Sequence, residues 1–162
     1  MTVFAGCAGY RFGTDGLYNK EIKTVFVPMV EADTYRHGLG ERLTESICKK
    51  ITQRTPYDLG TASKADSVLT VRLIAENQTV SGLDRYNDTR QKTLSWSVSA
   101  VWKDRRDMSI AELDPTPLTS LGINFSSQEY LVAETGQSWA TASQEMIDQI
   151  AERVVGMMEE KW

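Results

Sequence analysis

The stretch TLSWSVSAVWKD, Thr93 to Asp104, decides the fold. Leu94, Trp96, Val98, Ala100 and Trp102 alternate with Ser95, Ser97 and Ser99. Period-two alternation is the mark of a β-strand whose successive side chains point to opposite faces. One face here is apolar and carries two tryptophans, and the other is nearly all serine. Such a strand is stable only when its dry face is covered by another layer, so the rest of the chain must supply neighbouring strands and a cover.

Strands and cover are both readable on either side. Upstream, ADSVLTVRLIAE (Ala65 to Glu76) reads as a second strand, and IKTVFVPMV (Ile22 to Val30) as a third. The latter is rich in β-branched residues, with Pro28 confined to a strand end or edge because it has no N–H to donate. Downstream, a turn at KDRRD leads to a short strand around Met108 to Leu113. The cover comes from two amphipathic helices. Leu39, Leu43, Ile47 and Ile51 recur every four residues, with Cys48 beside them, and the helix ends before Pro56. The second spans about Ser138 to Glu160, with Ser138 as N-cap and a stripe of Met146, Ile147, Ile150, Val154, Met158 and Trp162. The polar run NQTVSGLDRYNDTRQK, Asn77 to Lys92, reads as a hairpin connection, and Asp114 to Gln137 as a long connection of no assigned structure. The expected architecture is α+β: a two-layer sandwich in the order β-α-β-β-β-α. Two helices pack on one face of a four-stranded, mostly antiparallel sheet with mixed pairing.

Composition narrows the function. The 162-residue chain is sized for a single domain with its own core, and its net charge of −4 disfavours a nucleic-acid binder. No apolar run reaches the ~18 residues a membrane-spanning helix needs. His37 is the lone histidine, so a Ser–His–Asp triad would have to use it, and a zinc site would need a carboxylate-heavy set that no spacing supports. No G-x-S-x-G elbow and no glycine-rich phosphate loop occurs. The residues therefore imply no catalytic set, no metal and no cofactor. Two small basic groups remain: Arg85, Arg90 and Lys92 in the hairpin connection, and Lys103, Arg105 and Arg106 in the following turn. Both fit solvated loop charge, and both fit an anion-recognising loop, since arginine pairs bidentately with phosphate.

The N-terminus adds a different signal. Val3-Phe-Ala-Gly-Cys7 places small residues directly before a cysteine, as at the end of a bacterial lipoprotein signal peptide. We expect residues 1–6 to be the remnant of such a signal, 7–21 a lipidated lead-in, and 22–162 one α+β domain.

Several segments, in order, resemble the lipopolysaccharide-assembly lipoprotein family, LptE (formerly RlpB). They are CAGYRFG, IKTVFVPMVEADTYRHGLGERLTESICKKITQRTPY, ADSVLTVRL, SVSAVWKD and IAERVVGMMEEKW. The resemblance implies two helices on a four-stranded sheet and a lipid on Cys7 that holds the protein to the periplasmic side of the outer membrane. It implies two partners: the β-barrel protein LptD, which the family plugs and helps assemble, and lipopolysaccharide itself. It implies no enzymatic activity. Basic residues near the tip of the long hairpin are the family's expected contacts with lipopolysaccharide. Arg85, Arg90 and Lys92 occupy that region, and the motif does not choose between Arg85 and Arg90. The later loop QEYLVAETGQS carries no basic residue, which departs from the family pattern. The alternative is another lipid-anchored periplasmic adaptor, such as a pilotin or the carrier of a different glycolipid.

Overall fold

The computed structural model describes residues 17–83, 85, 86, 89–105, 109–113, 126–132 and 138–159. Cys7, Arg106, Trp162 and the proposed signal remnant lie outside the described residues. The element order is β1 (Thr24–Phe26), β2 (Glu31–Ala32), α1 (Leu39–Arg54), β3 (Asp58–Leu59), β4 (Ser67–Leu83), β5 (Thr89–Asp104), β6 (Ser109–Leu113), β7 (Ser126–Val132) and α2 (Trp139–Gly156).

Two helices and one sheet make the expected α+β class, but among the described residues the sheet has seven strands rather than four. Its pairing is evenly mixed. β1 pairs β3 and β4 in parallel, and β2 pairs β4 in parallel; β5 pairs β4, β6 and β7 antiparallel. The extra strands have physical causes. Pro28 interrupts the Ile22–Val30 run, so that segment contributes only β1, and a second short piece, β2, pairs with β4 just beyond it. The polar run 77–92 is mostly ladder, because β4 and β5 keep pairing to Leu83 and Thr89. Backbone groups satisfy one another there without any need for an apolar face. Within 114–137, Ser126–Val132 forms β7 and pairs with β5 from Gln91 to Ser97.

The decisive strand behaves as its alternation requires. Leu94, Trp96, Val98, Ala100 and Trp102 are all buried, and Ser67, Leu69, Val71 and Leu73 of β4 lie on the same dry face. Trp102 Nε1 donates to Ser67 Oγ at 3.0 Å, which gives that buried indole N–H an acceptor. Both helices cover this face: Leu39, Leu43, Ile47 and Ile51 of α1 join Met146, Ile147, Ile150 and Val154 of α2 in one core cluster. Each such side chain contributes about 1.5–3 kcal/mol on burial.

The helices run in the same direction. Arg42 meets Gln144 at 2.8 Å, Ser46 meets Asp148 at 3.0 Å, and Arg54 pairs with Glu152. α1 stops where expected: Thr55 is extended ahead of Pro56 and its N–H still donates to Ile51 O. α2 starts at Ser138 with a reciprocal capping box to Thr141 and ends at Gly156, short of Glu160, with Met158 buried just beyond it. Gly40 lets α1 approach the chain at Val30, because a Cβ there would lie 2.4 Å from the Val30 carbonyl oxygen.

Asp66 fastens β1 to the start of β4. Its carboxylate accepts from the Thr24 hydroxyl at 2.9 Å and from the N–H groups of Thr24 and Lys23, each at 3.0 Å. These bonds, the hydroxyl first, hold its pKa below the usual carboxylate value. A lowered folded pKa means stability that is whole above the unfolded value and is lost as pH falls through the folded one. Denaturant titrations from pH 6 to pH 2 should therefore show stability falling below about pH 4, and Asp66→Asn should flatten that fall while lowering stability at neutral pH. Gly40→Ala should cost about 1–3 kcal/mol in the same assay, as overpacking against backbone does.

Candidate functional site

β4 and β5 do not end with the core. Buried positions on β4 stop at Leu73, and the strand runs on to Leu83. On β5 the last buried position is Leu94, opposite Gln78, so the hairpin runs past the core over Thr79 to Leu83 of β4, roughly 17 Å at ~3.4 Å per residue. A bulge sits where this ribbon begins: Leu73 pairs with Val98 and Ala75 with Ser97, so Ile74 is the extra residue. Its effect is a change of phase. Before the bulge Leu69, Val71 and Leu73 face the core. Beyond it Glu76 and Gln78 stand opposite Trp96 and Leu94, on the core side.

A cluster of side chains braces the root of the ribbon. Arg36, from the loop between β2 and α1, pairs with Glu76 at 2.9 Å. Its guanidinium lies 4.1 Å from the ring centre of Trp139, the first residue of α2. Glu76 is only 12% exposed, and one arginine thus ties together the ribbon, the α1 entry and the α2 start. The indole N–H groups of Trp96 and Trp139 are buried without acceptors among the described residues.

At the far end the chain turns through Arg85 and Tyr86. Both are exposed, with the Arg85 guanidinium 5.6 Å from the Tyr86 ring centre. Val80, Leu83 and Tyr86 are 48%, 54% and 75% exposed, a concentration of apolar surface at one end of a polar ribbon. Lys92 stands opposite Val80, two ladder pairs from the turn-flanking Leu83 and Thr89. Arg90 is a backbone position of β5, and its side chain lies outside the described residues. The structure thus puts Arg85 and Lys92 at the same end of the ribbon, next to exposed aliphatic and aromatic groups. The sequence reading named the basic residues but missed Val80, Leu83 and Tyr86. Their signal was present as isolated apolar residues in a polar run, a pattern that says strand only once the register is known.

The second basic group lies at the opposite end of β5. Lys103 pairs with Val68, and Arg105 is built into the fold, donating to Ser63 O at 2.7 Å while its N–H reaches Asp66 O. His37 is exposed in the loop before α1. Among the described residues, no group of three or more histidine, cysteine, aspartate or glutamate side chains is placed to hold a metal. A hollow of about 790 Å³ lies at the C-terminal end of α1, lined by Tyr18, Ile22, Lys20, Lys23, Arg54 and Asp58. Arg54 there pairs with Glu152, and Glu159 lies beside Tyr18. The ribbon end, where cations meet exposed apolar groups, is the better ligand surface.

Comparison with known proteins agrees with this architecture. The family model for lipopolysaccharide assembly, LptE, matches residues 22–158. No curated protein matches the chain. Among solved structures, a protein of Xanthomonas campestris superposes with TM-score 0.56 at 10% identity, covering 83% of this chain and 82% of that one. An uncharacterized lipoprotein B of Nitrosomonas europaea gives 0.52 at 14%, covering 83% of both chains. A hypothetical protein of Chlamydia trachomatis gives 0.50 at 12%, covering 85% and 98%. At these identities the likeness is one of fold.

Replacing Arg36 with alanine should loosen the ribbon root more than the core. Amide hydrogen exchange from Glu76 to Val80 should quicken several-fold, while global stability falls by no more than about 1 kcal/mol, since the pair is half exposed.

Proposed function

The chain belongs to the lipopolysaccharide-assembly family LptE, and from that premise we propose that it is a lipid-anchored partner of an outer-membrane β-barrel. In this role it assists lipopolysaccharide assembly rather than catalysing a reaction. The single observation that carries the reading is the family match, which runs from the first strand to the end of the last helix. Supporting it is the shape of the molecule: a hairpin whose polar end, from Thr79 to Leu83 on β4, runs past the last buried positions. A ribbon with a polar stem suits insertion into a water-filled barrel lumen of an LptD-like protein, because barrel interiors are polar.

The ribbon end suits the glycolipid. Lipopolysaccharide offers phosphates beside acyl chains, and the Arg85 and Lys92 cations stand beside Val80, Leu83 and Tyr86. A chain with net charge −4 does not attract an anionic glycolipid as a whole. Binding must therefore come from cations close to the ligand, within a Debye length of about 8–10 Å. Arg90 belongs to the same group by its place on β5. Cys7 is the acylation site in this reading. More than one acyl chain there gives stable anchoring, at ~0.8 kcal/mol per buried CH₂. The location that follows is the periplasmic side of the outer membrane.

Three measurements test the proposal. The protein isolated from native outer membranes should bring with it a large β-barrel protein and carry labelled fatty acid on Cys7. Recovery without such a partner, or with no label, speaks against the role. The double variant Arg85→Glu/Lys92→Glu should bind immobilised lipopolysaccharide about tenfold or more weakly, since charge-assisted bonds to phosphate are replaced by repulsion. Affinity unchanged by that double reversal removes the ribbon end as the contact.

A further inference from the structure

The hollow at the C-terminal end of α1 holds a second set of cations, since Lys20, Lys23 and Arg54 all line it. The segment that carries the two lysines is fastened along its length. Tyr18 and Ile22 are buried, and the Tyr18 ring meets Tyr57 edge-on with centres 5.8 Å apart. The Tyr57 hydroxyl donates to Asn19 O at 3.4 Å, and the Asp58 N–H donates to Lys23 O at 2.9 Å. Lys20 and Lys23 themselves are exposed. Their backbone is thus set before any ligand arrives, and binding costs little further ordering of the chain.

Groups that would repel an anion here are bonded or turned aside. A helix C-terminus presents carbonyl oxygens with partial negative charge. Ile51 O accepts from the Thr55 N–H at 3.0 Å and from the Thr55 hydroxyl at 2.8 Å, and Arg54 O accepts from the Tyr18 hydroxyl at 2.9 Å. Asp58, the acid among the lining residues, stands opposite Thr24, one position before the buried Val25. Side chains alternate along a strand, so Asp58 belongs to the sheet face away from the helices. Asp66 bonds to the Lys23 backbone N–H and to Thr24, not to the Lys23 ammonium. Glu152 shares Arg54, and Glu159 beside Tyr18 is the acid that an anion must tolerate.

We propose that this hollow binds a phosphate group through the ammonium groups of Lys20 and Lys23, with Arg54 as the third cation. It is separate from the ribbon end. Lys23 and Thr24 bond to Asp66, just before β4 begins, and β4 then runs roughly 50 Å from Ser67 to Leu83. The apolar lining of the hollow, Tyr18 and Ile22, is buried, so the site suits a phosphate rather than acyl chains beside one. Two sources offer that group: a phospholipid headgroup and free phosphate. The headgroup source rests on the acylation of Cys7 proposed above. Cys7 stands eleven positions before Tyr18, a length of chain that keeps the hollow within roughly 40 Å of an anchoring leaflet.

Inorganic phosphate titrated into the unlipidated 162-residue chain at constant ionic strength tests the site without any lipid on Cys7. Amide resonances from Asn19 to Lys23 and at Arg54 should shift and saturate. Lys20→Gln/Lys23→Gln should weaken binding about tenfold or more, because charge-assisted bonds are lost. Lys49→Gln/Lys64→Gln removes the same charge from other exposed positions and should change affinity less than about twofold, as screened distant charges do. Glu159→Gln should tighten binding. Vesicles of phosphatidylglycerol in phosphatidylcholine separate the sources. Co-sedimentation lost in the Lys20/Lys23 variant assigns a headgroup, and phosphate binding without it assigns free phosphate. Two results overturn the proposal: neither probe binding, or binding that the Lys20/Lys23 variant weakens no more than the Lys49/Lys64 variant does. Either result leaves the acylation of Cys7 standing, since labelled fatty acid reads that separately.

Discussion

Everything in this molecule hangs on the pairing of β4 with β5. It is the longest ladder in the sheet, running from Ser67 opposite Asp104 to Leu83 opposite Thr89. β1 and β2 attach to β4, β6 and β7 attach to β5, and both helices lie on the dry face the pair creates. Remove the register between Leu69 and Trp102 or Val71 and Ala100, and a one-residue slip turns every apolar side chain to solvent. Two tryptophans on one strand make that slip costly, because aromatic side chains bury the largest areas of any residue.

A single extra residue divides the hairpin into two parts with different work. Up to Leu73, the strand is a wall of the core. From Ala75 onward, β4 adds no buried side chain of its own: its core-side position Glu76 is polar and bound by Arg36, and past Gln78, opposite the buried Leu94, the strand becomes a projecting arm. The bulge at Ile74 makes this handover possible without breaking the ladder, since the backbone stays paired while the side-chain phase changes. Arg36 then does for the arm what buried leucines do for the wall. Its guanidinium, half exposed between a carboxylate and an indole, fixes the arm's exit while adding little to overall stability.

The two helices and the Thr93–Asp104 strand were legible in the sequence because their periods are strict and their stripes meet one core. Leu39, Leu43, Ile47 and Ile51 are buried as their spacing required, and Ser138 caps α2. The polar half of the hairpin was not legible. Asn77 to Leu83 pairs through its backbone, and a strand whose own side chains are mostly exposed leaves no alternation to read. β7 was hidden for a related reason, since Ser-Ser-Gln-Glu at its start resembles a loop. Strands as short as β2 and β3 carry too few residues for any period. Arg85 and Lys92 were found by charge alone, whereas their apolar neighbours Val80, Leu83 and Tyr86 emerged only from the fold.

The order of elements along the chain has a kinetic consequence. β4 and β5 are adjacent in sequence, so their hairpin closes locally and early, as contacts of short separation do. The dry face it creates, however, waits for α2, which begins only at Trp139. During synthesis from the N-terminus, Trp96 and Trp102 have α1 for company but no second helix, and half of their cover is still unmade. A folding chain in that interval exposes apolar surface of the kind that chaperones bind. The last helix therefore acts as the closing step: truncation within Met146 to Val155 leaves the hairpin's dry face covered by α1 alone, and the cell's quality control reads that as an unfinished protein.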